Sequence, residues 1–299
     1  MVRGIAALLV TVIIMAFVGC GIDKDDVKSD FTVMVAASAT PEHIQTTAEF
    51  LDQNISHVGK ENASRMLVAY EEYLHRYITD TREMSGLEVW RPYMDLETKR
   101  VDEEKITDSE VVDFYKYLKA GSILVVYYED SPKMVVDYSN LLKKYGDYIF
   151  EPLHQLYELD AEAVEKPMAE NATLMISWEA LLKRANKAEA ILKEYPDNEL
   201  IREDTMWLYK TYLNAILMGT TNTPIFDYST NTFTPGAKAA YTAFIRENPD
   251  STLSWVLKEY FVYLEGINYK LNYNDRTMSK VFFDTCDWLV SEAEKKVLE

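Results

Sequence analysis

Carboxylates are the side chains most able to perform acid–base chemistry in this chain, because histidine is scarce. The four histidines are His43, His57, His75 and His154, and the pair that we single out is His154 with Glu158, four residues further along the chain. That spacing places two side chains on one helical face, but a single pair is too little to define a metal site. The chain also lacks a His-Glu-x-x-His motif, a Gly-x-Ser-x-Gly turn and a phosphate-binding loop. We therefore predict no metal, no cofactor and no catalytic residue.

Adjacent acids occur at residues 71–72, 103–104 and 129–130. Two carboxylates that are buried in unlike environments can serve as an acid and a base, because burial separates their pKa values. With 49 acidic and 31 basic residues in the chain, solvated helix faces also explain such pairs. A hydrolase that uses buried carboxylates is therefore an alternative, and it requires a cleft that holds two acids.

Tyrosine is abundant, with 21 copies, and a tyrosine offers both a flat apolar ring and a hydroxyl. Those properties suit sugars, peptides and partner helices. Tyr127, Tyr128, Tyr138 and Tyr145 are close in sequence and are our candidates for ligand or partner contact. Core packing, with the hydroxyls reaching the surface, is the competing interpretation.

Cys20 is the residue whose chemistry the sequence defines best. It follows an uncharged apolar segment, residues 5–18, with the single basic residue Arg3 ahead of it. This segment is shorter than the roughly 20 residues that a spanning helix needs. The sequence around Gly19 and Cys20 resembles the lipobox of bacterial lipoproteins, although Phe17 stands where an aliphatic residue is usual. The resemblance implies that the Cys20 thiol receives a diacylglycerol and that cleavage occurs just before it.

A lipid on Cys20 would place the protein on the outer side of a membrane, anchored by acyl chains. The other interpretations of this segment are an uncleaved transmembrane anchor and an ordinary cleaved signal. The chain then divides into a signal peptide at residues 1–19, a tether at 20–39 and a helical domain at 40–299, with a possible subdivision into 40–146 and 147–299. The remaining cysteine, Cys286, lies on an apolar helical stripe and is expected to be a buried free thiol.

The net charge of −18 makes nucleic acid an improbable partner, because phosphate binding needs basic surfaces. Anionic lipid headgroups would also repel the domain. Glycine and proline are sparse, at 10 and 9 copies, and the chain has long amphipathic segments. These features predict an all-α fold, either an irregular helical bundle or a short stack of antiparallel helix pairs.

Helix boundaries can be placed from capping residues. Thr40 is expected to cap a helix that begins at Pro41, and the next helix carries a buried tyrosine stripe that includes Tyr70 and Tyr73. Residues 80–106 have no clear periodicity. Residues 107–110 match a capping box, with Thr107 as the predicted cap.

Residues 123–136 have two possible structures. Their β-branched and aromatic composition around a turn favours a β-hairpin. A helix–turn–helix is the alternative, with Ser131 as cap and Pro132 as first helical residue. From about residue 137 the sequence predicts helices almost to the end.

Two junctions in the second half share the form Glu-x-Pro-Asp-[Asn/Ser], at residues 194–198 and 247–251. They resemble the junctions between tetratricopeptide-like repeats, where a proline ends one helix and an acid begins the next. Their separation exceeds that repeat's period of about 34 residues. Separately, residues 135–138 and 222–226 resemble segments of exported proteins from Gram-positive spore-forming bacteria, and that resemblance implies no activity.

We predict a lipid-anchored, extracytoplasmic protein that acts as a non-catalytic binding or assembly module at the cell envelope. Its partners would be the membrane, through Cys20, and an envelope protein or glycan. Besides the hydrolase, a second alternative is the solute-binding lipoprotein of a transporter. Such proteins usually have two α/β lobes, and the few strand signals in this chain argue against that arrangement.

Overall fold

The computed structural model describes residues 24–83 and 87–299, and within them the chain is mostly α-helical with small antiparallel strand pairs. The predicted fold class is therefore confirmed. The α-helices are α1 (Lys24–Ala36), α2 (Pro41–Asn54), α3 (Lys60–Glu83), α4 (Ser109–Ala120), α5 (Tyr138–Tyr145), α6 (Glu151–Glu165), α7 (Trp178–Glu194), α8 (Arg202–Met218), α9 (Pro235–Glu247), α10 (Thr252–Gly266) and α11 (Arg276–Val297). The strands are β1 (Met94–Asp95), β2 (Arg100–Val101), β3 (Ile123–Tyr128), β4 (Ser131–Val136), β5 (Ala169–Glu170), β6 (Thr173–Leu174), β7 (Gly219–Thr220) and β8 (Thr223–Pro224). No helix in the described ranges is long and apolar enough to cross a membrane.

Helix α1 differs from the prediction that residues 20–39 form a tether. Val27, Phe31 and Val35 follow one another at four-residue steps, so they form a single apolar face, and all three are buried. The ring of Phe31 stacks on that of Phe50 at 6.0 Å. The side chain of Arg76 also donates a hydrogen bond to the carbonyl of Val35. Residues 24–36 are therefore part of the packed domain.

Strands β1 to β4 form one antiparallel sheet in chain order. The hairpin expected at residues 123–136 is confirmed, with Tyr128 opposite Ser131 and a two-residue turn at Glu129 and Asp130. Both turn residues have positive φ, which matches the twist of a tight hairpin. Residues 80–106 were predicted to be irregular. In the structure, α3 continues to Glu83, and the short strands β1 and β2 lie within the same range.

One helix cap lies one residue beyond its predicted position. Helix α4 is capped by Asp108 rather than Thr107, because the Asp108 carboxylate accepts hydrogen bonds from the N–H groups of Glu110 and Val111. Helix α10 is capped by the hydroxyl of Ser251, which accepts a hydrogen bond from the N–H group of Ser254. The Thr40 cap is confirmed.

The two proline junctions have the same backbone geometry. Tyr195 and Asn248, each just before a proline, have φ and ψ of −130° and 55°, and −129° and 57°. A proline forces the preceding residue away from the helical region, so each junction turns a helix back along its neighbour. The junctions produce two helical hairpins, α7–α8 and α9–α10. Helix α7 packs against α6, α8, α9, α10 and α11, so the two helical hairpins belong to a bundle and resemble a repeat array only weakly.

The side chain of Glu189 on α7 joins these two hairpins. Its carboxylate accepts hydrogen bonds from the N–H groups of Thr252 (2.6 Å) and Leu253 (2.7 Å) at the start of α10. Lys193 donates to the same carboxylate at 2.6 Å, and the hydroxyl of Tyr209 lies 3.3 Å from it. A carboxylate at a helix N-terminus is stabilised by unpaired N–H groups and the helix dipole.

The buried apolar residues form one core cluster that runs from Val27 to Val297. Tyrosine can fill this core because its hydroxyls find acceptors there. Tyr70 donates to the carbonyl of Gly121 at 2.9 Å, and Tyr260 donates to that of Leu217 at 2.7 Å. Tyr70 and Tyr73 are fully buried, which confirms that their stripe packs in the core.

Candidate functional site

Two regions of the structure bring together side chains that could bind a ligand or transfer protons, a partly buried carboxylate cluster and an open groove. The carboxylate cluster centres on Glu71 of α3, whose side chain is 17% exposed. Its two oxygens accept hydrogen bonds from Tyr138 and Tyr157, each at 2.6 Å. The imidazole Nε2 of His75, one turn further along α3, lies 3.5 Å from the Glu71 carboxylate and 3.2 Å from the Tyr138 hydroxyl.

The surrounding helices explain why these groups meet. Asp137 caps α5 through the N–H of Asn140, and this places Tyr138 in the first turn beside α3. Tyr157 lies on the core face of α6, and the rings of Tyr138 and Tyr157 are 5.2 Å apart, edge to face. Burial, together with the negative charge of Glu71, raises the pKa of both tyrosines. Both hydroxyls therefore remain protonated and act as donors to Glu71.

Asp160 of α6 and Asp204 of α8 add two more carboxyl groups to the carboxylate cluster. Burial is the main cause that raises the pKa of Asp160 well above its usual value, and the charges of Glu71 and Asp204 raise it further. Partial burial and the charge of Glu71 also raise the pKa of Asp204. A carboxyl group with a raised pKa near other carboxyl groups is one feature of sites that pair an acid with a base.

The carboxylate cluster has no described cavity of its own. The two cavities described below are lined by other residues. No group of three or more carboxylate, histidine or cysteine side chains within residues 24–83 and 87–299 has an arrangement that could hold a metal ion. At the centre of the carboxylate cluster, the two tyrosine hydroxyls are already hydrogen-bonded to the Glu71 carboxylate. These bonds join α3, α5 and α6.

The structure distributes the four candidate tyrosines over separate environments. Tyr138 is buried in the carboxylate cluster, and Tyr145 is buried with its hydroxyl 2.7 Å from the Asp52 carboxylate. Tyr127 and Tyr128 are half-buried neighbours on β3, so their side chains lie on opposite faces of the sheet. Contact of a ligand with Tyr127 or Tyr128 stays a prediction.

Both half-buried tyrosines are held by neighbouring groups. The Tyr127 hydroxyl donates to the carbonyl of Asp130 at 3.0 Å, and Arg91 donates to that hydroxyl at 3.1 Å. The Tyr128 hydroxyl donates to the carbonyl of Ala169 in the neighbouring hairpin. Both tyrosine hydroxyls are therefore already hydrogen-bonded within the protein, without a ligand.

The predicted lipidation site, Cys20, lies outside the described residues. Cys286 is fully buried, as expected of a free thiol in the core, and burial raises its pKa. The predicted neighbours His154 and Glu158 do share a face of α6, with 3.7 Å between imidazole and carboxylate. That contact is an ordinary side-chain pair on a helix surface.

The open groove lies between α8 and α11 and has a volume of about 730 Å³. We call it the Trp207 groove, because the Trp207 side chain is 66% exposed in it. Lys210 and Glu294 form an ion pair of 2.6 Å that links the two helices there. Its lining residues are Arg202, Glu203, Met206, Trp207, Lys210, Thr211, Asn214, Glu294 and Leu298.

Trp207 differs from the other four tryptophans in its surroundings. Trp90 contacts Phe114 and Tyr115, Trp178 contacts Tyr241, and Trp255 and Trp288 contact each other. Within the described ranges, no aromatic ring packs against Trp207. Its indole face is therefore available to a ligand.

Several polar side chains of the Trp207 groove are also available. Within the part of the chain that the structure describes, the side chains of Arg202, Thr211 and Asn214 make no hydrogen bond and no ion pair. Glu203, Trp207, Thr211 and Asn214 lie at three- and four-residue steps on one face of α8. An aromatic face and unpaired donors and acceptors thus share one exposed surface.

The second described cavity, of about 400 Å³, lies between α9 and α10. Its aromatic residue Tyr269 is already covered, since the ammonium of Lys238 lies 3.5 Å from the ring centre. Lys258 in the same cavity donates to the carbonyl of Pro249 at 3.1 Å. This cavity therefore leaves fewer free groups than the Trp207 groove.

The sequence named two members of the carboxylate cluster, Glu71 and Tyr138, as separate candidates, but it did not identify either site as a whole. The sequence pattern places Glu71 on the polar face of its helix, whereas Glu71 lies between the buried residues Leu67 and Leu74, four residues before and three after it. Trp207 stands on the polar face of α8, where a large aromatic residue is unusual. The sequence signal for the carboxylate cluster is therefore an acid next to an apolar helical stripe. The sequence signal for the groove is a large aromatic residue on a polar helical face.

Comparison of the chain with protein-family models, curated proteins and solved structures returned no match.

Proposed function

We propose that this protein is a lipid-anchored, extracytoplasmic binding module whose ligand surface is the Trp207 groove. The observation that carries the proposal is that, among the described residues, the Trp207 ring has no aromatic neighbour and the side chains of Arg202, Thr211 and Asn214 make no hydrogen bond or ion pair. Exposed aromatic and arginine side chains are typical centres of binding energy. The partner would be a glycan or a protein of the cell envelope.

The membrane part of the proposal depends on Cys20 and the apolar segment before it. A diacylated cysteine gives stable anchoring, because each buried methylene contributes about 0.8 kcal/mol. Replacement Cys20→Ser should move the protein from the membrane fraction to the soluble fraction and abolish labelling with radioactive palmitate. Unchanged membrane association together with unchanged labelling would overturn the lipid anchor.

The ligand surface can be tested by photocrosslinking in intact cells. A benzoylphenylalanine at Thr211, inside the Trp207 groove, should capture an envelope component, and Trp207→Ala should abolish that adduct. The matched control is the same photoreactive residue at Thr285, a half-buried threonine on α11 that does not line the groove. Equal adducts from both positions would contradict the proposal.

A hydrolase is the second candidate function, and a specific observation favours it. Asp160 has a raised pKa beside Glu71, and such a pair can supply an acid and a base. Against it, neither described cavity is lined by Asp160 or Glu71. If cell-wall fragments are hydrolysed by the wild type and not by Asp160→Asn, this candidate replaces the binding module. Solute capture by two α/β lobes finds no support in the mostly helical fold of the described ranges.

A further inference from the structure

We infer that the Trp207 groove takes a neutral oligosaccharide, an inference that rests on the proposed binding function. The groove combines one exposed aromatic ring, several hydrogen-bond donors and acceptors, and equal numbers of acidic and basic side chains. Each of these features selects for a particular part of the ligand.

The aromatic platform selects for a flat apolar surface. Trp207 is 66% exposed on a regular helix, so its ring can be covered without rearranging the backbone. The C–H face of a sugar ring provides an apolar surface that matches an indole in size, and it leaves the hydroxyls free at the edge. An apolar body with a polar rim is what this groove can accommodate.

The polar residues select for hydroxyl groups. Sugar hydroxyls both donate and accept hydrogen bonds, and the groove offers a guanidinium at Arg202, a carboxylate at Glu203 and an amide at Asn214. Glu203 and Asn214 are eleven residues apart on α8, so the surface extends about 16 Å at 1.5 Å per residue. That length accommodates a short oligosaccharide.

The charge balance selects for a neutral ligand. The bases Arg202 and Lys210 are matched by the acids Glu203 and Glu294, and the rest of the chain is strongly acidic. A polyanion would meet no excess of positive charge here and would be repelled by the protein as a whole. A helical peptide is also poorly suited, because it needs several apolar anchor pockets, and the groove provides one large exposed aromatic residue.

The test is isothermal titration of the full chain, solubilised in a detergent without sugar groups, with neutral chitotetraose and maltotetraose, and with anionic tetragalacturonate. At least one neutral tetrasaccharide should bind with a dissociation constant of roughly 1 mM or below. Trp207→Ala should weaken that binding at least about tenfold, and Trp207→Phe, which keeps a ring, should weaken it less. The control Trp288→Ala should change the affinity less than about twofold, because Trp288 is exposed outside the groove.

Three results would overturn the inference. The first is that neither neutral tetrasaccharide binds at concentrations up to about 10 mM. The second is that Trp207→Ala and Trp288→Ala have equal effects, and the third is that tetragalacturonate binds as tightly as the neutral sugars. If the Thr211 crosslink is still abolished by Trp207→Ala in cells while no neutral sugar binds, the binding function stands and only the saccharide inference fails.

Discussion

The carboxylate cluster around Glu71 and the Trp207 groove are both rich in polar and aromatic side chains, yet their bonding is opposite. In the cluster, both Glu71 oxygens are occupied by tyrosine hydroxyls at 2.6 Å. In the groove, Arg202, Thr211 and Asn214 have no partner within residues 24–83 and 87–299, and Trp207 has no aromatic neighbour there.

This difference separates what stabilises the fold from what can bind a ligand. A polar group that is buried must be paired inside the protein, and its removal leaves its partners unpaired. A polar group on an open surface is paired with water, and a ligand can replace that water at little cost to the fold. Substitutions in the cluster should therefore change stability, and substitutions in the groove should change binding.

Glu71→Ala should have the largest effect on stability. It leaves the buried hydroxyls of Tyr138 and Tyr157 without an acceptor, which costs about 2–5 kcal/mol of unfolding free energy in total. The measurement is urea denaturation at neutral pH. The matched control is Glu72→Ala at the neighbouring exposed position, which should cost less than about 0.5 kcal/mol. Equal losses from both variants would contradict a stabilising role for the cluster.

Tyr157→Phe should have the next largest effect. The ring stays in place and only the hydroxyl that donates to Glu71 is lost, and hydrogen bonds to charged groups contribute about 1.5–3 kcal/mol. Tyr148→Phe serves as control, since Tyr148 is partly exposed and should change stability by less than about 0.5 kcal/mol. A Tyr157→Phe variant as stable as the wild type would show that the Tyr157 bond is not formed.

Asp160→Asn should alter the dependence of stability on pH. The folded-state pKa of Asp160 is raised above its usual value of about 3.8, so its contribution to stability is fully present below pH 3.8 and is lost as pH rises through the raised pKa. Glu71 and Asp204, the charges that face it, are unchanged in the variant. Urea denaturation between about pH 4 and 8 should therefore show the variant becoming progressively more stable than the wild type. A constant difference across that range would contradict the raised pKa.

The smallest effects on stability should come from the exposed tryptophans. Trp288→Ala removes a ring contact with Trp255 at 6.1 Å, which is worth about 0.5–1.5 kcal/mol. Trp207→Ala removes no such contact and should cost less than about 0.5 kcal/mol. Thermal unfolding of both variants provides the measurement. A larger loss from Trp207→Ala than from Trp288→Ala would mean that Trp207 supports the fold.

Much of the fold could be predicted from the sequence because local signals agreed with packing. The β-branched run at Ile123–Tyr128 formed a hairpin, and the tyrosine stripe at Tyr70 and Tyr73 packed in the core. Helix α1 was missed, since its apolar residues are spaced by four within a charged segment that reads as polar.

The sites were harder to predict, because they depend on contacts between distant helices. Nothing in the local sequence brings Tyr138 and Tyr157 to Glu71, which lies 67 residues from Tyr138 and 86 from Tyr157. The exposure of Trp207 likewise depends on how α8 and α11 pack, and helical periodicity alone does not specify that packing.

The most direct test of the distinction between paired and unpaired regions is a two-dimensional ¹⁵N NMR spectrum of the indole N–H groups. All five tryptophans give separate probes, and Trp90, Trp178, Trp255 and Trp288 act as internal controls. On titration with enzymatically solubilised cell-wall fragments, we expect the Trp207 signal to shift and the other four to stay in place. An unmoved Trp207 signal, or shifts spread equally over all five, would contradict the assignment of the groove as the ligand surface.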